Sequence, residues 1–118
     1  MRHQNKRHRI GSTPSHRTAM LRNLAIEVID HGKIKTTHTR CMAARGMIEK
    51  LITLAKVDTV ANRRKALSKL DNMDAVTGLF TKVAPRFIGR NGGYTRIHKL
   101  ADGRVGDAAK MSLLSFVE

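Results

Sequence analysis

Residues 20–37, MLRNLAIEVIDHGKIKTT, decide the fold, because a helical pattern passes into a strand pattern across a single glycine. The apolar side chains recur at helical spacing as one stripe, formed by Met20, Leu21, Leu24, Ala25, Val28 and Ile29. His31 and Gly32 suit the end of a helix, since a cation complements the helix dipole and glycine adopts the left-handed conformation. The short, β-branched run Lys33–Thr37 then predicts a strand.

The remaining helices are predicted from their caps and stripes. The first helix should begin at Pro14, with Thr13 as its cap. Three more helices are predicted over residues 39–56, from Asp58 or Thr59 to Leu70, and from Asp71 or Asn72 to Pro85. On the third helix we expect Val60, Leu67 and Leu70 to face inward. Pro85 should end the fourth, because proline lacks the backbone N–H that a helix needs.

The last third of the chain changes to a strand period. Residues 89–93 form a glycine-rich turn, residues 94–100 and 111–117 alternate as strands, and residues 101–108 form a loop between them. The order is helix, strand, three helices, two strands. It predicts a two-layer α+β fold with a small sheet packed against helices. We expect a basic arm over residues 1–13 and a single globular domain over residues 14–118.

The charge distribution indicates a polyanionic partner. The chain carries 23 Lys and Arg against 9 Asp and Glu, a formal net charge of +14. Residues 1–26 contain no acidic residue at all. A run of like charge repels itself and stays extended, and neutralising phosphates would release counterions. The alternative for the arm is a solvated tail without a partner.

A second window without acidic residues spans residues 75–101 and contains Lys82, Arg86, Arg90, Arg96 and Lys99. It covers a helix end, a glycine turn and a strand, so folding would fix these charges on one surface. Gly92 and Gly93 allow a backbone to approach phosphates closely, because they lack Cβ and tolerate positive φ. The alternative is an ordinary turn followed by a solvated basic strand.

The sequence lacks the residues and motifs that several other classes of protein need. No apolar run is long enough to span a bilayer, no secretion signal begins the chain, and the single Cys41 cannot build a disulfide or a cysteine-based zinc site. The histidines lack metal-ligand spacing, nuclease work by them would also need a shaped pocket, and no phosphate-loop motif is present. We therefore predict no catalytic residue, no metal, no cofactor, no small-molecule substrate and no membrane. Cys41 should be a buried thiol.

Aromatic side chains are too few for several base-stacking platforms. The chain has Phe80, Phe87, Tyr94 and Phe116 and no Trp. Phe80 belongs to an apolar stripe. Tyr94, beside the basic turn, either stacks on a base or covers the sheet. Recognition should therefore depend on backbone charge and nucleic-acid shape.

The chain resembles the family of ribosomal protein seventeen of the bacterial large subunit. The resemblance covers nearly the whole sequence and rests on MRH (1–3), SHRTAMLRN (15–23), IKTT (34–37), LITLAK (51–56), ANRR (61–64), PRF (85–87) and GGYTRI (92–97). It implies a non-enzymatic constituent of the large ribosomal subunit, in the cytoplasm, near the end of the exit tunnel. The implied partners are large-subunit rRNA and neighbouring ribosomal proteins.

Matching motifs place the implied rRNA contacts at Arg2, His3, His16, Arg17, Arg22, Asn23, Arg63, Arg64, Arg86, Gly92, Gly93, Tyr94 and Arg96. The charge of the arm and of the glycine turn adds Lys6, Arg7, Arg9 and Arg90. Two alternatives are a DNA-compacting protein and a small ribonuclease. The first lacks helix-turn-helix or basic-zipper patterns, and the second lacks a recognisable acid–base pair.

Overall fold

The computed structural model describes residues 13–117, and its helices and strands follow the predicted order. The elements are α1 (Pro14–His31), β1 (Lys33–Thr37), α2 (His38–Ala55), α3 (Val60–Leu70), α4 (Met73–Gly78), β2 (Thr95–Lys99) and β3 (Met111–Phe116). After α4 the chain continues through a π turn, Leu79–Val83, and a 3-10 turn, Ala84–Phe87. The α+β class is confirmed. Residues 1–12 of the predicted arm lie outside the described residues.

Both ends of α1 form as its sequence predicts. The Thr13 hydroxyl accepts a hydrogen bond from the His16 N–H at 3.1 Å. At the other end, Gly32 adopts a left-handed φ of +81°, and its N–H donates to the Val28 carbonyl at 2.7 Å. Glycine takes this conformation without the steric cost that a Cβ would bring. The chain can therefore leave α1 and enter β1 without an intervening loop.

The sheet is antiparallel, and its strand order is β1-β3-β2. Along β1, Lys33 pairs with Ser115 and Lys35 with Leu113. Along β2, Arg96 pairs with the same Ser115, and His98 with the same Leu113. These residues form two of the rows that cross all three strands, both on the same face of the sheet. The last strand of the chain therefore lies in the middle of the sheet and joins two segments that are distant in sequence.

One face of the sheet packs against helices and forms the core. Leu114, on the central strand, is 0% exposed, and Ser112 and Phe116 beside it are buried as well. Helix α2 contacts every strand and contributes Ile48 and Ile52 to the same cluster. The side chains of β3 thus alternate between a buried face and a face that no described helix covers.

Two details of the helices differ from the sequence prediction. Val60 is 66% exposed, whereas Ala66 and Leu70 carry the buried side of α3. Six residues are about 1.7 turns of an α-helix, so Val60 points away from the side on which Ala66 is buried. The prediction that Val60 faces inward is therefore wrong.

Pro85 does not end the helical segment, which continues to Phe87. Before the proline, the chain widens into the π turn, and the Ala84 N–H donates to the Leu79 carbonyl five residues earlier. Pro85 has no N–H to donate, and the following residues adopt the tighter 3-10 geometry. This extension carries Arg86 and Phe87 to the edge of the sheet.

The loop between β2 and β3 is held by its own hydrogen bonds. Arg104 donates to the Asp107 carboxylate, and the Arg104 N–H donates to the Ala109 carbonyl at 2.9 Å. A Cβ on Gly103 would lie 2.9 Å from the Ala108 carbonyl oxygen, so the turn is closely packed there. The two strands consequently meet in a fixed register.

Truncation of Leu114 tests the central position of β3. The variant Leu114→Ala should lower the free energy of unfolding by about 3 kcal/mol, because it removes a fully buried side chain and leaves a cavity. Urea denaturation followed by circular dichroism measures this loss. The matched control, Leu113→Ala, removes the half-buried neighbour on the opposite face and should cost about 1 kcal/mol or less. Equal losses in both variants would contradict the assignment of the two faces.

Candidate functional site

The uncovered face of the sheet is basic. Lys33 and Lys35 on β1 and Arg96 and His98 on β2 are exposed, whereas their neighbours Ile34 and Ile97 are partly buried against the core. Through the strand register, Lys33 and Arg96 flank Ser115, and Lys35 and His98 flank Leu113. We call the surface formed by these two rows, Lys33, Ser115 and Arg96 together with Lys35, Leu113 and His98, the open sheet face. Its cationic side chains come from both edges and border the central strand.

At one end of the open sheet face lies a cleft of about 590 Å³. Its basic and imidazole side chains are Lys33, Arg86, Arg96, His31 and His98. No carboxylate belongs to its lining, as far as residues 13–117 are concerned. We call this site the cationic cleft. Because like charges repel, such a concentration of them on fixed backbone favours an anionic ligand.

Arg86 is positioned by aromatic rings. Its guanidinium carbon lies 5.7 Å from the ring centre of Phe87 and 5.9 Å from that of Phe116. A planar guanidinium over an aromatic face gains a favourable cation–π interaction, and its edge stays available for hydrogen bonds. The 3-10 turn Ala84–Phe87 thus places Arg86 at the rim of the cationic cleft, next to β3.

The glycine turn before β2 is held by helix α2. Gly92 and Gly93 both have positive φ, +81° and +62°. The ammonium group of Lys56 donates to the Arg90 carbonyl and to the Tyr94 hydroxyl. About two turns earlier on α2, the Glu49 carboxylate accepts a hydrogen bond from the Thr95 hydroxyl at 3.0 Å. Contacts on both sides of the glycines therefore fix the path by which the chain enters β2.

Tyr94 lies inside the protein, with 2% of its surface exposed. Its ring packs against Phe87 with the ring centres 5.3 Å apart, and its hydroxyl lies 3.2 Å from the Thr53 hydroxyl. Hydrogen bonds with Thr53 and Lys56 lower the pKa of Tyr94, although burial acts in the opposite direction. This burial favours the structural role of the ring over stacking on a base.

Arg63 and Arg22, both predicted to contact RNA, donate side-chain hydrogen bonds to other parts of the chain. Arg63 forms a two-pronged ion pair with the Asp58 carboxylate, at 2.7 and 2.8 Å, and lies 5.0 Å from the ring centre of Phe80. Arg22 donates to the Lys69 carbonyl at 2.7 Å and thereby joins α1 to α3. Arg64, the neighbour of Arg63, is exposed. Contacts of Arg22 and Arg63 with RNA stay predictions, and both side chains also stabilise the fold.

The other predicted residues are spread over further surfaces. His16 and Asn23 line a second groove, of about 400 Å³, which Arg40 and Glu27 also border. Arg17 is partly buried on α1, and Arg90 is exposed in the glycine turn. Arg2, His3, Lys6, Arg7 and Arg9 lie outside the described residues. Of the predicted contacts, the structure brings Arg86 and Arg96 together in the cationic cleft.

Sequence reasoning did not select Lys33, Lys35, His31 and His98. The alternation Lys33-Ile34-Lys35 and Arg96-Ile97-His98 contains the information that these side chains share a face with their neighbours two positions away. The alternation does not reveal that β1 and β2 both pair with β3. Only the strand order places the two basic edges on one surface.

Cys41 has no features of a nucleophile. It is 0% exposed, and its thiol lies 3.7 Å from the Ser112 carbonyl oxygen. Burial raises the pKa of the Cys41 thiol, which disfavours the reactive thiolate. The predicted burial of Cys41 is confirmed. His38 lies nearby, with Nδ1 2.8 Å from the Ser112 hydroxyl oxygen, and this contact joins the start of α2 to β3.

Metal binding and membrane insertion are two further properties that the described residues bear on. Within residues 13–117, no group of three or more His, Cys, Asp or Glu side chains is arranged to hold a metal ion. None of the helices in that range is both long and apolar enough to cross a membrane.

Comparison with known proteins assigns the family. The sequence model described as "Ribosomal protein L17" matches residues 20–117. The chain is 45% identical to "Large ribosomal subunit protein bL17" of Hydrogenobaculum sp. (strain Y04AAS1) over the whole length of both chains. It is also 45% identical to the protein of the same name from Methylacidiphilum infernorum (isolate V4), over all of this chain and 89% of the relative.

These matches place the chain in the class of ribosomal proteins, whose role is structural rather than catalytic. Within that class, it belongs to the ribosomal protein L17 family. The resemblance derived from the sequence is thereby confirmed.

The ion pair at the start of α3 gives a titration test. The Arg63 guanidinium, hydrogen-bonded to Asp58, lowers the pKa of that carboxyl group. The variant Arg63→Gln should raise the pKa of Asp58 toward its ordinary value, as measured by the carboxyl carbon shift in an NMR titration. Because the pKa is lower in the folded state, the pair stabilises the fold above the unfolded-state pKa. This stabilisation is lost as the pH falls through the folded-state pKa.

The control for this titration is Arg64→Gln, which removes the neighbouring exposed cation and leaves the ion pair intact. It should leave the Asp58 midpoint close to that of the wild type. An equal rise in both variants would show that general positive charge, rather than the Arg63 hydrogen bonds, sets the pKa of Asp58.

Proposed function

We propose that this protein is a structural constituent of the large ribosomal subunit and that it binds and stabilises large-subunit rRNA. The observation that carries this proposal is the cationic cleft, in which Arg86, Arg96 and Lys33 converge without a lining carboxylate among the described residues. The names of the relatives support the location, since both are large-subunit proteins. Within the cytoplasm, the protein would act in translation as part of that particle, near the end of the exit tunnel.

The mechanism is neutralisation of phosphate charge together with a fit to the shape of the RNA. All the aromatic side chains of the protein are at most 8% exposed, so base stacking contributes little. Arginine and lysine contacts with phosphates fix position and release counterions without reading sequence. Neighbouring ribosomal proteins complete the surroundings, and no metal, cofactor or small-molecule substrate takes part.

The proposed contacts form two groups. A domain over residues 14–118 contributes His16, Arg17, Arg22, Asn23, Arg63, Arg64, Arg86, Arg90, Gly92, Gly93 and Arg96, with the buried Tyr94 supporting the glycine turn from within. A basic arm over residues 1–13 contributes Arg2, His3, Lys6, Arg7 and Arg9, and would become ordered on the RNA. The domain would dock on the RNA surface and the arm would extend from it.

Removal of the arm tests its contribution to RNA binding. Deleting residues 1–12 takes away Arg2, Lys6, Arg7 and Arg9. The plot of log K against log salt concentration for large-subunit rRNA should become shallower by about 3, since each lost phosphate contact accounts for roughly 0.7–0.9. A full-length control with the same four residues replaced by Gln should show the same change. An unchanged slope would show that the arm does not contact phosphates.

Competition between nucleic acids separates this function from that of a DNA-compacting protein. Structured fragments of large-subunit rRNA should displace labelled rRNA from the protein at lower concentration than duplex DNA of equal phosphate content. The protein should also stay with large subunits during sedimentation through high salt. Preference for duplex DNA, or release at modest salt, would contradict an integral role in the subunit.

A further inference from the structure

We propose that the open sheet face is an RNA backbone seat, in which one sugar–phosphate strand lies along β3 between the basic edges of the sheet. The residues that would flank the sugar–phosphate strand are Lys33 and Lys35 on β1 and Arg96 and His98 on β2. The inference rests on the proposed rRNA binding and names the surface and the chemical part of the RNA that it binds.

The strand register gives the seat its shape. Lys33 and Arg96 pair with Ser115 from opposite sides, and Lys35 and His98 do the same with Leu113. Neighbouring strands lie about 4.8 Å apart, so the two edges are separated by about 10 Å across β3. Successive rows on one face are about 7 Å apart along the strands. A backbone that follows β3 would therefore have a basic or imidazole side chain on each side at the rows of Ser115 and Leu113.

The floor of the seat is suited to a sugar–phosphate strand. Ser115 presents a hydroxyl group, and Leu113 presents a half-buried apolar side chain that can contact a ribose. Neither Phe nor Tyr is exposed on this face, because Phe87, Tyr94 and Phe116 are buried beneath it. Bases would consequently find no large stacking platform here, and the phosphates would supply most of the interaction energy.

The charges of the seat lack acidic partners in the described structure. Within residues 13–117, the ion pairs join Glu27 to His31, Asp58 to Arg63 and Asp107 to Arg104. None of these pairs includes Lys33, Lys35, Arg96 or His98. The pair of Glu27 and His31 is exposed on the last turn of α1, at the rim of the cationic cleft. The open sheet face therefore keeps its positive charge available for an external anion.

Arg86 extends the seat at one end. It lies above Phe87 and Phe116 and lines the same cleft as Lys33 and Arg96. Because Arg86 packs beside two buried rings, its hydrogen-bond donors can meet a phosphate with a smaller loss of side-chain entropy than those of a fully solvated arginine. The phosphate nearest the end of β3 would thus have the most highly organised contacts.

Charge removal on the sheet tests the seat directly. The triple variant Lys33→Gln, Lys35→Gln, Arg96→Gln is compared with the control Arg45→Gln, Lys50→Gln, Lys65→Gln, which removes the same charges from exposed positions on α2 and α3. Binding of the full chain to large-subunit rRNA is measured across a salt series. The sheet variant should lose about 2–3 from the slope of log K against log salt concentration, and the control less than 1. Circular dichroism melting checks that both variants fold.

The outcomes separate the seat from the proposed function. Wild-type protein that does not bind large-subunit rRNA would overturn the proposed function itself. Wild-type binding with equal slopes for the two triple variants would overturn only the seat, because total charge alone would then account for the affinity. If the sheet variant fails to fold, the single variants Lys35→Gln and Lys50→Gln provide the same comparison, with an expected slope change of roughly 0.7–0.9 for the first.

A displacement measurement identifies the chemical class of ligand that binds the open sheet face. Duplex RNA of unrelated sequence should displace rRNA from the wild-type protein and should do so less effectively from the sheet variant. Polyglutamate at equal charge should displace less than RNA does, since each flexible side chain must be ordered to bring its carboxylate to a cation of the sheet. Displacement by polyglutamate as effective as by RNA would overturn the assignment to a sugar–phosphate strand and indicate an acidic polypeptide instead.

Discussion

The position of β3 in the middle of the sheet is the constraint on which the rest of the structure depends. Strands β1 and β2 pair only with β3 among the described residues, and they meet through it. Backbone N–H and C=O groups of a lone strand would have to be satisfied by water. The strand nearest the end of the chain therefore completes both the hydrogen-bond ladder and the buried face, where Leu114 lies against α2.

Helix α2 provides the second level of organisation. Its buried side packs on the sheet, while Glu49, Thr53 and Lys56 reach the segment that leads into β2. These positions are three or four residues apart, so they lie on one side of the helix. Hydrogen bonds at both ends of the glycine turn fix where β2 starts, and those at its Tyr94 end are partly buried. The orientation of Arg96 on the open sheet face thus depends on polar contacts that α2 makes with the segment leading into β2.

Much of the fold could be predicted from the sequence because its determinants are local. The start of α1 is specified by Thr13, its end by Gly32, and the start of β1 by the β-branched residues that follow. The structure has all three boundaries. The error at Val60 arose because an apolar residue at the first position of a helix need not lie on its buried side. The continuation past Pro85 depends on a π turn, which no simple periodic pattern indicates.

The candidate site was less predictable, because it is created by strand order. Arg86 and Arg96 were selected from a basic window in the sequence, and they line one cleft. Lys33 belongs to the same cleft, but it lies in a different part of the chain and becomes a neighbour only through Ser115. Beneath this site is Tyr94, which packs against Phe87, the ring that supports Arg86. The chain has one Tyr, three Phe and no Trp, so its tyrosine fluorescence comes from a single buried ring two contacts away from the cationic cleft. The molecule therefore carries its own optical reporter of that region.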